Sequence, residues 1–262
     1  QFVPAGVRLT SVYYYEEKFY ISGYATKTTS VGATYLEGYL CCSSDGVTWG
    51  VAQGVTAPAN IGGSQVMGDN FIAVRNYPKN QHNNSPDALF VGTDATHNYS
   101  QVKYTEGMNY YGANAGNGWF IFTTNTNQLL LIDKNFIDKT VTKAGFPSNG
   151  FSDACWSPLL NKFIAVGSSC WVSSDTDVWD QLTTLPSFKN TGDIIRKVAS
   201  TDQLIVVGTT TGCIYASTDG EIWMQVAYQS TGNRVQVVDA VVSGSSILVF
   251  NSHNEVYEVK LS

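Results

Sequence analysis

The chain has 262 residues, of which 14% are charged and 43% are hydrophobic, and its formal net charge is −6. A mildly acidic chain without clustered basic residues lacks the electrostatic footprint of a nucleic-acid-binding protein. No apolar run approaches the ~18 residues of a membrane-spanning helix, so we expect no membrane insertion. The chain starts at Gln1 without a signal-peptide pattern, so we expect a processed product or a piece of a longer protein.

Six short strand patterns recur along the chain, each opened by an aromatic or aliphatic residue that usually follows a turn-forming pair. Their first apolar residues are separated by 52, 48, 44, 41 and 43 residues. A seventh pattern, at 255–261, ends the chain. The six are 18–21, 70–74, 118–122, 162–166, 203–207 and 246–250.

A second marker, a Ser-x-Asp turn followed by tryptophan, interleaves with these strands. Three full copies place the aspartate four residues before the tryptophan, and two degenerate copies fill the interval between the first and second. A period near 44 residues over the whole chain predicts repeated sheet units. The full copies are Asp45 with Trp49, Asp175 with Trp179, and Asp219 with Trp223, and the degenerate copies contain Asp94 and Asp133.

The two markers together predict an all-β fold: a six-bladed β-propeller with four-stranded antiparallel blades, forming a single domain over 1–262. The last blade lacks a box because the chain stops there. The N-terminal strand, with Phe2 in the tryptophan position, is expected to close the last blade. Closure into a ring leaves few exposed strand edges.

The box letters suit a hairpin between the third and fourth strands of a blade. Asp and Ser accept hydrogen bonds from backbone N–H groups of a turn, and Gly46 and Gly220 tolerate positive φ. The middle copy, around Asp175, has no glycine, so we expect a different turn there. The tryptophans are expected to begin the next strand and pack on the neighbouring blade. Catalysis by these aspartates is disfavoured, because they recur once per blade instead of converging on one point.

The pattern Ser-x-Asp-x-Gly-x-x-Trp resembles the Asp-box of sialidase-like propellers, in which the boxes lie opposite the active site and bear no catalysis. The strand at 162–167 and the segment at 215–223 are also similar to repeats of bacteriophage tail fibres and other tail-tip proteins. This resemblance implies a virion tail protein that acts outside the cell, at the host surface.

Loops that join strand two to three, and strand four to the next blade, share one face of a propeller. The two-to-three connections are long at 24–38 and 75–87 and short at 167–170 and 208–212. The first long one is equally explained as a two-strand extension. For the second, a solvated loop is favoured over a binding loop. The candidate receptor-binding residues are Tyr24, Tyr35, Arg75, Tyr77, Lys79, Asn80, His82, Asn83, Asn84, Tyr110 and Tyr111.

The preferred function is a non-enzymatic recognition module of a bacteriophage tail. Its partners would be a bacterial surface receptor, either a glycan or an outer-membrane protein, and other virion tail proteins. One alternative is a structural or assembly propeller of a tail hub. The other is a sialidase-like glycosidase. A sialidase site needs three arginines to bind the substrate carboxylate, and the chain has only four arginines in all. A two-carboxylate glycosidase would take its pair from Asp153, Asp193 and Asp239.

Five cysteines at irregular spacing do not form a disulfide framework in a chain of this length. Buried free thiols are expected, with a Cys155–Cys170 pair as the alternative. With three histidines and no CxxC spacing, neither a metal nor a cofactor is predicted.

Overall fold

The computed structural model describes 16 stretches of the chain, and its regular elements there are β-strands. No helix in these stretches is long and apolar enough to cross a membrane. The described residues are 7–15, 18–28, 30–32, 34–44, 48, 50–51, 60–67, 70–76, 88–92, 100–104, 110–135, 137–184, 193–228, 237–243, 246–251 and 256–260.

The described strands form six antiparallel sheets in which consecutive strands are neighbours. The first contains β1 (Val7–Tyr15), β2 (Lys18–Thr28), β3 (Thr34–Ser43) and β4 (Gly50–Val51). The second contains β5 (Asn60–Met67), β6 (Asn70–Asn76), β7 (Ala88–Gly92) and β8 (Ser100–Tyr104). The third contains β9 (Tyr110–Gly116), β10 (Trp119–Thr124), β11 (Gln128–Asp133) and β12 (Asp138–Thr142).

The remaining sheets follow in the same order. The fourth contains β13 (Asp153–Ser157), β14 (Lys162–Val166), β15 (Cys170–Ser173) and β16 (Asp180–Gln181). The fifth contains β17 (Ile195–Ser200), β18 (Ile205–Thr209), β19 (Cys213–Ser217) and β20 (Met224–Tyr228). The last contains β21 (Val237–Ser243), β22 (Ser246–Asn251) and β23 (Val256–Lys260).

The predicted strand markers are confirmed. Each of the six overlaps the second strand of a sheet: β2, β6, β10, β14, β18 and β22. The pattern at 255–261 corresponds to β23. The fold is therefore all-β, built of four-stranded antiparallel sheets that are consistent with propeller blades.

The sheets also share a β-bulge that no sequence pattern predicted. In five of the described sheets the ladder between the first and second strands skips one residue of the first strand, which is a β-bulge. Bulges bend a strand and increase its twist, so the repeat extends to backbone shape as well as to strand order. The skipped residues are Thr10, Gly62, Gly112, Arg196 and Val238.

Successive side chains of a strand point to opposite sides of its sheet. The described central strands are buried on both faces, because a core lies against each side. In β18, Ile205 and Val207 lie in a core shared with the fourth sheet, through Ile164 and Val166. Val206, between them, lies in a second core with strands of the last sheet. This explains why β18 reads as an unbroken apolar run instead of an alternating one.

The chain falls into two compact units, 1–125 with 131–139, and 126–130 with 140–262. The single domain over 1–262 stays a prediction. The closing strand at Gln1, with Phe2, lies outside the described residues, and the last sheet has three strands in the described part of the chain.

Candidate functional site

The two box turns that are described are held by their aspartates. Both turns join the third strand of a sheet to the fourth, as predicted. Asp175 Oδ1 accepts hydrogen bonds from the N–H groups of Asp177 at 2.9 Å and Val178 at 2.8 Å. Asp219 Oδ1 accepts in the same way from Glu221 and Ile222, both at 2.8 Å.

A serine completes each turn. Ser173 Oγ accepts from the N–H of Thr176 at 2.9 Å and donates to Asp175 at 3.3 Å. Ser217 Oγ accepts from the N–H of Gly220 at 2.8 Å and donates to Asp219 at 3.0 Å.

These bonds favour the ionised carboxylates. The N–H of Val178, followed by that of Asp177, lowers the pKa of Asp175. The N–H groups of Ile222 and then Glu221 lower the pKa of Asp219. Each aspartate side chain thus accepts hydrogen bonds from the backbone of its own turn, which supports the structural role expected from the sequence.

The expectation of a different turn at the middle box was wrong. Thr176 adopts φ of 69° and occupies the place of Gly220, whose φ is 77°. The hydrogen bonds of the two turns are equivalent. A β-branched residue is costly in this region, and here the serine and aspartate contacts on both sides of Thr176 fix the backbone in spite of that cost.

The degenerate copy at Asp133 is a related turn, in which the aspartate binds the second and fourth residues after it instead of the second and third. Its Oδ1 accepts from the N–H groups of Asn135 at 2.9 Å and Ile137 at 2.8 Å, between β11 and β12. The predicted box at Asp94 and the first full box, with Asp45, Gly46 and Trp49, lie outside the described residues.

The box tryptophans pack as predicted, one residue before the strand instead of inside it. Trp179 is 1% exposed, its Nε1 donates to Thr176 O at 3.1 Å, and its ring meets Phe146 edge-on at 6.2 Å. Trp223 donates to Gly220 O at 3.2 Å and packs against the core that the fourth and fifth sheets share.

Lys143, in the segment between β12 and β13, contacts three residues of the fourth sheet and its box turn. Its Nζ donates to Trp179 O, lies 3.7 Å from Asp180 Oδ1 and sits 5.3 Å from the centre of the Trp171 ring. Phe146 meets the Trp171 ring edge-on at 5.0 Å. This arrangement was missed in the sequence, because a lysine 36 residues from its tryptophan carries no local signal.

The first long connection is a two-strand extension, one of the two predicted alternatives. The β2–β3 ladder continues to the pair Thr28 and Thr34. Tyr24 pairs with Gly38 and Tyr35 pairs with Lys27, so both tyrosines are strand residues three rungs apart.

The second long connection begins later than predicted. Arg75 is a residue of β6, paired with both Ile61 and Ala88, because the ladder runs on to that point. The connection itself covers 77–87, which lies outside the described residues. It contains the candidates Tyr77, Lys79, Asn80, His82, Asn83 and Asn84, whose binding role stays a prediction.

Two further candidates were placed in a loop and lie in a strand. Tyr110 and Tyr111 begin β9 and pair with Thr124 and Thr123. Their position is nevertheless at the end of the sheet that carries the two-to-three connection, since β10 finishes opposite them.

The predicted contrast in connection lengths holds for the second long connection, whereas the first is mostly strand. The connection from β6 to β7 has 11 residues (77–87), whereas those from β14 to β15 (167–169) and from β18 to β19 (210–212) have three each.

The candidate catalytic carboxylates have separate structural partners. Asp153 Oδ2 accepts from the N–H of Val198 at 3.1 Å, and Lys197 Nζ lies 3.7 Å from its Oδ1. Asp193 accepts from Ile194 N–H and from the hydroxyl groups of Thr210 and Thr211. Asp239 belongs to β21, and its side chain lies outside the described part of the structure.

The carboxylates of Asp153 and Asp193 are anchored at different places. The N–H groups that they bind, of Val198 and Ile194, are four residues apart on the chain.

Three cysteines are buried free thiols, as expected: Cys155, Cys170 and Cys213. Burial, and next the Asp153 charge, raises the pKa of Cys155, and burial raises the pKa of Cys170 to about 12. Cys41 and Cys42 belong to β3, and their side chains are not described. Within the described ranges, no group of three His, Cys, Asp or Glu side chains is placed to hold a metal ion.

No known family model matches the sequence, and no curated protein matches it. Solved structures of β-propeller proteins do resemble the fold. The extracellular domain of BT4673 from B. thetaiotaomicron matches 98% of this chain and 32% of its own, with a TM-score of 0.64 and 10% identity. YCF48 bound to a D1 peptide matches 100% and 96%, with a TM-score of 0.56 and 13% identity.

Raptor from Chaetomium thermophilum matches 99% of this chain and 24% of its own, with a TM-score of 0.65 and 8% identity. The chain therefore spans about a third of the BT4673 domain and about a quarter of Raptor, but nearly all of YCF48. At these identities the similarity concerns the fold alone: the chain is similar to β-propeller proteins.

Proposed function

We propose that this protein is a non-enzymatic recognition module of a bacteriophage tail, which binds a host surface receptor at one end of its sheets. The observation that carries the proposal is the unequal length of the two-to-three connections. Additions at one end of a regular scaffold are where binding groups accumulate. Both long connections belong to the first two sheets, while the fourth and fifth keep three-residue turns.

The receptor would be a glycan or an outer-membrane protein. The connection at 77–87 is rich in asparagine, with one tyrosine, one lysine and one histidine. Tyrosine and asparagine offer contact area and hydrogen bonds at low entropic cost. The β2–β3 extension adds a second projection, whose turn exposes Ser30, Val31 and Gly32. The Asp-box and tail-fibre resemblance supplies the virion tail as the setting.

Adsorption to host cells tests this function. The purified chain is expected to bind permissive bacteria and to block infection, and a variant lacking Lys79 to Ser85 is expected to lose both effects. The double variant Val178→Ser/Ile222→Ser, altered at the box turns, serves as the control and should retain them. Failure of the wild type to adsorb to any permissive host contradicts the proposal.

We further propose that the sheets form six blades around one axis, and that the N-terminal strand completes the last one. The three-stranded last sheet and the recurring bulge support this arrangement. Removing residues 1–5 should then lower the unfolding temperature, because an open edge replaces a paired one. An unchanged unfolding temperature contradicts the closure.

The second candidate is a structural or assembly propeller. It is favoured by the match with YCF48, which covers nearly the full length of both chains and which binds a peptide of D1. Pull-down with the other tail proteins of the same virus separates the two. Binding that survives deletion of Lys79 to Ser85, without host adsorption, supports assembly. A glycosidase is not proposed, because Asp153 and Asp193 are engaged in separate contacts.

A further inference from the structure

The exposed apolar residues of the described chain are not scattered. Large apolar side chains are strongly exposed at five described positions, and four of these lie three to five residues after a box aspartate. Single exposed apolar residues are normal on protein surfaces. Val178 and Ile222 occupy the same position, three residues after the aspartate, whereas Ile137 and Met224 lie four and five residues after theirs. The exposed apolar residues therefore cluster just after the box aspartates. The five are Val31 at 86%, Ile137 at 65%, Val178 at 58%, Ile222 at 71% and Met224 at 65%.

In the two full box turns, contacts on both sides hold these groups in place. The N–H groups of Val178 and Ile222 are both bound to the carboxylate of their own box. The next residue in each case is a tryptophan packed into the protein, Trp179 or Trp223. An aliphatic group held from both sides loses little conformational freedom on binding, which lowers the entropic cost of association.

The fourth and fifth sheets carry their boxes at the same end. The two sheets share one core. Thr184 Oγ1, from the segment after β16, donates to Gly220 O at 3.1 Å, and the Leu160 side chain from the β13–β14 turn lies against Gly220. Because packed sheets lie about 10 Å apart, the apolar groups of the two turns are separated by about that distance or more.

The charge around these groups is mostly negative. The two turns contain Asp175, Asp177, Asp219 and Glu221, and Asp180 follows the first. Against these five acidic residues stand two described lysines: Lys143, which lies 3.7 Å from Asp180, and the exposed Lys162, which precedes the pairing partner of Ser173. Such a surface repels nucleic acid and anionic lipid, whereas it complements a protein segment bearing Lys or Arg.

We propose that Asp177, Val178, Glu221, Ile222 and Met224, here named the box-turn surface, dock a partner protein through a segment that combines aliphatic side chains with Lys or Arg. Apolar contacts with a charged rim are the usual composition of a protein interface. In each of these two sheets the box turn lies opposite the two-to-three connection. The box-turn surface shares no residue with the candidate receptor-binding set, so the inference does not depend on that function.

Methyl NMR with a synthetic amphipathic peptide of Lys and Leu as the probe tests this inference. The methyl signals of Val178, Ile222 and Met224 are expected to shift on titration, while that of Val31, which is more exposed than any of them, stays unchanged. Peptides of Glu and Leu, and of Lys and Ser, should bind at least about tenfold more weakly. Equal shifts at Val31, or equal binding of the Glu–Leu peptide, would overturn the proposal, as would the absence of binding.

Variants separate the apolar from the charged contribution. Val178→Ser/Ile222→Ser and Asp177→Lys/Glu221→Lys should each weaken peptide binding about tenfold or more, and the matched control Val31→Ser should not. The buried Ile205 methyl signal reports that each variant remains folded. If the Val178 and Ile222 signals instead shift with protein concentration in the absence of peptide, the occupant is a second copy and the proposal of a basic partner fails.

Discussion

At Asp175 and Asp219 a single carboxylate oxygen receives two backbone N–H groups, which a turn of this shape otherwise leaves to water. Hydrogen bonds to an ionised acceptor are stronger than those to a neutral one. The negative charge of the box aspartate therefore stabilises the turn, through hydrogen bonds to the backbone of that same turn.

The pH dependence of stability should reveal this charge. The folded-state pKa of both aspartates is below the ordinary value of 3.8, so their stabilisation is complete above pH about 4 and is lost as pH falls through the folded-state pKa. Asp175→Asn/Asp219→Asn should lower the urea midpoint at pH 6, and the difference from wild type should shrink toward pH 2.5.

The control for this measurement is Asp202→Asn, at an exposed aspartate of the fifth sheet. We expect Asp202→Asn to lower the urea midpoint at pH 6 less than the double variant does. A wild-type advantage over the double variant that stays constant from pH 6 to pH 2.5 would show that the box charge is irrelevant to stability.

Trp179 is the largest fully buried side chain in the described chain. Trp179→Ala should lower the free energy of unfolding by about 3–5 kcal/mol, because it leaves a cavity next to Phe146. Trp179→Phe keeps most of the contact and loses the bond to Thr176 O, so it should cost less. Urea denaturation measures both, and a loss below about 1 kcal/mol for the alanine variant would contradict the structural role.

At the scale of the elements, β18 packs against the fourth sheet on one face and the last sheet on the other. An added Cβ at Gly208 would lie 2.5–2.9 Å from the side chain of Val237 in β21. Gly208→Ala should therefore cost about 1–3 kcal/mol through overpacking. In a double-mutant cycle, Val237→Ala should recover part of that loss, because it removes the clashing methyl groups.

Gly167, which follows β14 in the fourth sheet, is the control. Its nearest neighbours are backbone atoms at 3.4 Å, which is within ordinary contact. Gly167→Ala should thus destabilise the protein less than Gly208→Ala, as read from urea midpoints. The reverse order would mean that the fifth and last sheets pack less closely than described.

At the scale of the molecule, the core of the second compact unit is shared between sheets. Cys155 and Cys170 come from the fourth sheet and Cys213 from the fifth, and all three lie in one core. A buried thiol reacts only when its surroundings open. The three should therefore be alkylated by iodoacetamide at one common, slow rate, measured by peptide mass mapping at increasing urea.

Separate rates would contradict cooperative opening of the two sheets. Reaction of Cys155 in native buffer at the rate of a free peptide thiol would contradict its burial. The exposed turns provide no thiol in the described part of the chain, so the denatured protein supplies the reference rate.

Much of the fold followed from periodicity. Strand markers such as 162–166 located the second strand of each sheet, because an apolar run buried on both faces must be repeated in every unit that stacks on its neighbours. The box at Asp133 was recognisable despite its missing glycine and tryptophan, since its spacing matched. The prediction for the turn at Thr176 was wrong. The absence of glycine indicated a different turn, but hydrogen bonds to Ser173 and Asp175 hold Thr176 at a positive φ.

By itself the sequence determined the repeat, the strand order within each unit and the box turns, because these depend on contacts a few residues apart. Only the tertiary structure decided that Ile205 and Val206 face different cores, that Lys143 reaches Trp179 and that Asp153 binds the neighbouring strand β17. It also revealed that Val178 and Ile222 remain exposed beside buried tryptophans. Each of these depends on which surface the next sheet covers, and that is a property of packing between segments about 40 residues apart.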